Sequence, residues 1–92
     1  MFKKGDNMVS ELMAINDSAK SFYNKAHVIH NEDGSMTLRS YDTDVAFYAN
    51  GKLTRAYGQP QSNTTARHMR EFAMQCGLPR MSKAKLEALP TR

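Results

Sequence analysis

The sequence predicts an α+β fold in the order αββββα: an N-terminal helix, a four-stranded antiparallel β-meander, and a C-terminal helix followed by a short basic helical tail. Three observations predict it. Residues 62–79 carry both a start and a stop signal for a helix. Residues 8–22 repeat apolar side chains at helical spacing. Between them, short β-branched or alternating runs are punctuated by turn signals. At 92 residues there is room for one domain over 1–92, and a chain of this size buries only about two-thirds of its unfolded surface.

Residues 1–5 read as a loose basic lead-in, after which Asp6 or Asn7 can cap a first helix. Met8, Leu12, Ile15, Ala19 and Phe22 then recur at intervals of four and three, one stripe for burial, and the helix fades near Asn24 and Lys25. A short β-branched strand, Ala26 to His30, follows. Asn31-Glu32-Asp33-Gly34 is a turn, since Asp-Gly supplies the positive φ that tight hairpins require. Ser35 to Tyr41 alternates, with Met36, Leu38 and Ser40 on one side and Thr37, Arg39 and Tyr41 on the other. Tyr41 to Asp44 is a second turn, and Val45 to Ala49 a third strand. Asn50-Gly51 joins it to a fourth strand, Lys52 to Tyr57. That turn puts Tyr48 with Leu53 on one face and Phe47 with Thr54 on the other, leaving open which aromatic is buried. Residues 58–61, with Pro60, break the chain before the second helix.

That helix begins at Ser62 or Asn63, whose side chain can accept an orphan backbone N–H, and ends at Gly77 and Pro79. Thr65, Met69, Phe72 and Cys76 share one face, widened by Ala73; Arg67 and Arg70 lie on a wetter one. In residues 78–92, a basic tail or a short docked helix, Ser82 can cap one last turn, docked by Leu86 and Leu89 and ended by Pro90. The simplest core packs the helices on one sheet face and leaves the other face polar.

Composition excludes several classes. An apolar fraction of 40% and a charged fraction of 24% belong to an ordinary globular chain, and no run approaches the roughly 20 apolar residues that span a bilayer. No apolar core or cleavage site follows Lys3 and Lys4, and Cys76 is the only cysteine, so a reducing, cytoplasmic setting is expected. Charge is uneven. Residues 1–51 hold five Lys/Arg and seven Asp/Glu, residues 52–92 eight and two, so halves of −2 and +6 make up the net +4. That asymmetry suggests an acidic partner, either nucleic acid or an acidic protein surface; from composition alone, net charge kept for solubility is the more ordinary reading.

An enzyme is not expected. Cys76 sits on the core stripe at a helix C-terminus, where the dipole disfavours a thiolate. His27 and His30, three apart on a strand, point to opposite faces. No zinc spacing and no Gly-rich phosphate loop is present, so neither cofactor nor metal is expected. The acidic pairs Glu32/Asp33 and Asp42/Asp44 sit in turns, where backbone reasons suffice. His68 has two readings: a titrating or ligand-contacting group, or a core histidine bonded to a backbone carbonyl. The candidate binding surface is basic: Lys52 and Arg55 on the last strand, Arg67 and Arg70 on the helix, Arg80, Lys83 and Lys85 in the tail, with Tyr41, Tyr48 and Tyr57 able to stack. On this reading, reversing charge at Arg67 and Arg70 weakens binding and leaves thermal stability unchanged.

Two stretches carry a resemblance. Ser40 to Ala46 reads S-Y-x-T-x-V-A, and Thr64, Thr65, Arg67, His68, Glu71 and Phe72 spell T-T-x-R-H-x-x-E-F. Together, over residues 35–76, they are similar to a small domain of unknown function found in phage and mobile-element proteins. In length, basic tail and element order the whole chain resembles phage-encoded anti-CRISPR proteins of the class that inhibits type I-F systems. The resemblance implies a non-enzymatic inhibitor that binds the Csy surveillance ribonucleoprotein in the bacterial cytoplasm. It implies contacts with backbone protein subunits and with the guide RNA, no membrane and no small-molecule substrate. RNA phosphate would suit the basic half, and the Lys/Arg-rich channel would suit the acidic turns at Glu32, Asp33, Asp42 and Asp44. The alternative is a small phage or plasmid nucleic-acid-binding accessory protein.

Overall fold

A computed structural model of the chain describes residues 8–57 and 62–92. The expected basic lead-in at residues 1–5, the cap at Asp6 or Asn7, and the breaker at residues 58–61 lie outside the described residues. The rest forms five strands and two helices: β1 (Met8–Glu11), β2 (Ala26–His30), β3 (Met36–Ser40), β4 (Thr43–Ala49), β5 (Lys52–Arg55), α1 (Asn63–Gln75) and α2 (Lys83–Glu87). The sheet runs β1-β2-β3-β4-β5 with every neighbour antiparallel, the meander that short connections impose.

The α+β class and the meander hold, but the N-terminal helix does not form. Residues 8–11 pair with β2 instead, Val9 opposite Ile29, as a fifth strand. Residues 12–25 then run irregularly along α1. Of the expected stripe only Leu12 and Phe22 are buried, while Met8 and Ile15 are exposed. The reason is local. Asp17 Oδ1 accepts the Ala19 N–H, Ser21 Oγ accepts that of Tyr23, and Asn16 donates its N–H to Glu71 rather than to a preceding turn. Short polar side chains that satisfy the backbone in this way compete with a helix ladder.

Other elements follow their signals. Asn50 (φ 52°) and Gly51 (φ 77°) both take the positive φ of a type I′ turn. Ser62 Oγ accepts the Thr65 N–H at 3.0 Å and opens α1. At the other end Gly77 (φ 92°) donates to Met74 and Leu78 to Ala73, the paired bonds that close a helix through a left-handed residue. Ser82 opens α2 by accepting the Lys85 N–H at 3.2 Å, and Leu86 is fully buried.

One sheet face carries Val28, Leu38, Ala46 and Leu53, which form a single cluster with Phe72, Met69, Leu12, Phe22 and Leu86. Full burial of side chains of this size contributes roughly 1.5–3 kcal/mol each. Tyr48 lies opposite Leu53 and packs on this cluster, so the aromatic facing the core is Tyr48. Phe47 faces the other way, in a row of Val9, Ile29, Thr37, Phe47 and Thr54. The outer face is therefore not uniformly polar as expected. Arg92 lies over the Phe47 ring, 4.5 Å from its centroid. Arg55 donates its N–H to Pro90 and accepts that of Arg92, so the chain end covers part of the β5 edge.

Candidate functional site

The two sequence strings that carry the resemblance meet in space. Ser40 ends β3, and its Oγ lies 2.8 Å from His68 Nδ1 and 3.5 Å from Thr65 Oγ1. His68 is 1% exposed, with the Phe22 ring edge-on at 4.7 Å and the Tyr41 ring at 6.1 Å. Of its two expected roles the architectural one is present, with a hydroxyl in place of the backbone carbonyl. Burial pushes the imidazole below its usual pKa, and the Arg67 cation adds to this against a smaller opposite effect of Asp17. Tyr41 (φ 56°) and Tyr23 (φ 52°) stand at left-handed positions on either side, and the Tyr41 N–H bonds the Lys25 carbonyl. The result is an open pocket of about 220 Å³ with Phe22 and His68 at its floor and Tyr23, Tyr41, Lys25 and Arg67 around it.

Beside this pocket lies a basic face. Arg67 grips Asp17 with two nitrogens, one bond being Nε to Oδ2 at 3.1 Å. Chiefly through this hydrogen bond, Arg67 holds the Asp17 carboxyl down at about 2. Arg70 donates from Nε to the Met81 carbonyl at 2.7 Å, and Lys83 donates to Asn63 at 3.1 Å. Arg80 closes the same side, next to Asp17, Arg67 and Arg70. Lys85 is exposed on α2, and neither Arg80 nor Lys85 has a side-chain bond among the described residues. Glu71 is also here but faces inward, 2% exposed, accepting from Asn16 N (2.6 Å), Asn16 Nδ2 (2.8 Å) and Gln75 Nε2 (2.8 Å).

The remaining predicted site residues do not join this surface. Lys52 shares the outer sheet face with Phe47 and Thr54, across the sheet from α1, and lines a cleft of about 280 Å³ with Asp33 and Arg92. Arg55 is half-buried with Nε enclosed and unpartnered among the described residues, and its backbone holds the chain end. The acidic turns stand at opposite ends of β3. Glu32 and Asp33 lie in the β2–β3 loop, where Asp33 Oδ1 accepts from Ser35 N and Oγ, while Asp42 lies in the β3–β4 turn. Asp44 at that second end is paired with Arg39 at 2.8 Å. The structure thus brings together Arg67, Arg70, Arg80 and Lys83, leaves Lys85 exposed on neighbouring α2, and separates them from Lys52, Arg55 and both acidic turns.

Missed in the sequence were Asp17, Asn16 and Glu71, which tie residues 12–25 to α1. A signal for Glu71 existed. It follows His68 by three and precedes Gln75 by four, a polar stripe flanking the apolar one. Among the described residues no three His, Cys, Asp or Glu side chains converge on a metal-sized site. His27 meets Asn24, and His30 meets Ser10, on opposite faces. Burial pushes the Cys76 thiol up to about 11, leaving it protonated at neutral pH. No helix among the described residues is long and apolar enough to cross a membrane.

A family model described as a family of unknown function, DUF8033, matches residues 10–88, a span that includes both strings and the basic face. Neither a curated protein nor a solved structure matches the chain.

Proposed function

We propose that the chain, which belongs to the DUF8033 family of unknown function, is a non-catalytic docking module for a nucleic-acid-bearing partner. One observation carries the reading: Arg67, Arg70, Arg80 and Lys83, drawn from α1, its following loop and α2, gather on one side while the nearby Glu71 carboxylate is turned inward. Clustered arginines offer forked donors to phosphate, and the electrostatic term supplies most of non-specific affinity for nucleic acid. In the specific form implied by the whole-chain resemblance, the partner is the type I-F Csy surveillance complex in the cytoplasm of a phage-infected bacterium. Docking on its protein backbone and guide RNA would keep target DNA from pairing.

The test is a pull-down with purified Csy complex beside a gel shift with free RNA and DNA. Stoichiometric capture of the complex without affinity for free duplex DNA supports the inhibitor form. Retention of free duplex DNA with no capture of the complex replaces it by a nucleic-acid-binding accessory protein. Absence of both kinds of binding overturns the docking reading itself.

A further inference from the structure

We propose that the pocket beside the basic face, between residues 19–25, the β3–β4 corner and the first turns of α1, receives one unstacked nucleobase of a single strand, stacked on Tyr41. The inference deepens the docking reading and rests on it. Its first support is size. About 220 Å³ is below the roughly 300–1,000 Å³ of pockets that enclose drug-sized ligands, so it suits one flat ring with the rest of the ligand outside.

The second support is the chemistry of the walls. Tyr41 and Tyr23 are 50% and 70% exposed, whereas Phe22 and His68 below them are 6% and 1% exposed. A ring entering here meets aromatic surface on the sides and an aromatic floor, and every nucleobase has a π-face to offer. The floor is also fixed, because His68 is held by Ser40 and by the edge of Phe22. The Tyr41 wall is tied to the residue 19–25 wall by the bond from Tyr41 N to Lys25 O at 2.6 Å.

The third support is the rim. Lys25 Nζ lies 5.6 Å from the Tyr41 ring centroid, and Arg67 lines the same pocket. No Asp or Glu lines it. Lys25, with the Arg67 guanidinium whose side chain stays 44% exposed beyond its bond to Asp17, puts cationic groups where the phosphates flanking a bound base would run. Arg67 borders both the pocket and the basic face, so a strand leaving the pocket passes onto Arg70 and Arg80.

The experiment is fluorescence anisotropy with labelled octamers of uridine (RNA) and thymidine (DNA), competed by uridine monophosphate or by ribose 5-phosphate. Binding of both octamers is expected if the base alone is read, and of the RNA alone if the 2′-hydroxyl contributes. Uridine monophosphate should displace the octamer; ribose 5-phosphate, equally charged but without a base, should not. Tyr41→Ala and Tyr23→Ala should each weaken octamer binding about tenfold, the range of one lost base–aromatic stack, while Tyr41→Phe retains it. Tyr23 is an exposed loop residue, so its variant stays informative if Tyr41→Ala unfolds the corner. Three results overturn the pocket. The first is wild-type affinity in Tyr23→Ala and in a folded Tyr41→Ala. The second is equal displacement by the two competitors. The third is capture of the ribonucleoprotein with no octamer binding, which leaves the docking reading standing. Failure to bind octamer and ribonucleoprotein alike overturns both.

Discussion

Asp17 and Arg67 are fifty positions apart in the chain and joined by two hydrogen bonds, so Arg67 holds residues 12–25 against α1 as well as facing solvent. This changes what a substitution reports. Reversing Arg67 places two negative groups together, and reversing Arg70 removes the donor to Met81; both are expected to lower the thermal midpoint, contrary to the expectation from sequence alone. The Asp17 carboxyl ordinarily titrates at 3.8 and is held at about 2 in the fold. A depressed acid favours folding in full above its unfolded value, and that contribution fades as pH falls from 3.8 toward 2. Asp17→Asn should therefore cost about 1 kcal/mol at neutral pH, with urea midpoints of wild type and variant converging on acidification. A constant offset at every pH would assign the loss to something other than the charge. Ser40 offers a second reading at this scale. Its hydroxyl meets His68 in the interior, and Ser40→Ala should cost about 1–2 kcal/mol because the buried Nδ1 is left without a partner. His68 stood out in the sequence at the edge of an apolar stripe; its partner, 28 positions away on β3, did not.

At the scale of elements, what the sequence showed was what short-range chemistry dictates. The Ser62 and Ser82 caps, the Asn50-Gly51 turn and the Gly77 stop depend on residues within a few positions, and all of these formed. Gly77 gives a clean check. A Cβ there would meet nothing within 4 Å, so Gly77→Ala suffers only from the left-handed backbone at φ +92°. About 1 kcal/mol is expected, read as a drop in thermal midpoint with no change in the sheet. The N-terminal helix failed because its apolar spacing was real but incomplete as a criterion. Asn16, Asp17, Ser18 and Ser21 interrupt it, and the open edge of β2 captures residues 8–11. Such competition between a local period and a distant strand partner cannot be settled from spacing alone. The bulge between Leu38 and Arg39, which lets both Val45 and Ala46 be buried, was equally silent in the sequence.

For the molecule as a whole, the uneven charge of the two halves is partly answered within the chain. Asp17 of the acidic half neutralises Arg67 of the basic one, and Asp33, held low chiefly by its hydrogen bonds from Ser35, also feels the Arg92 charge. What remains toward solvent is narrower than the surface expected from sequence: Arg70, Arg80 and Lys83, beside a tyrosine-walled pocket, with Lys85 exposed on α2 and Lys52 and the acidic turns elsewhere. Membership of a surface depends on which sheet face and which loop end a residue occupies. Sequence gives the cations but not that placement. Arg80 on that face and Lys85 on neighbouring α2 have side chains that hold nothing else among the described residues, so they separate docking from stability. Docking through the basic side is read out by the affinity of the Arg80→Glu, Lys85→Glu double variant for purified Csy complex, measured beside its thermal midpoint. The docking account predicts at least tenfold weaker binding, a shallower salt dependence and an unchanged midpoint. Wild-type affinity in a folded double variant would contradict it.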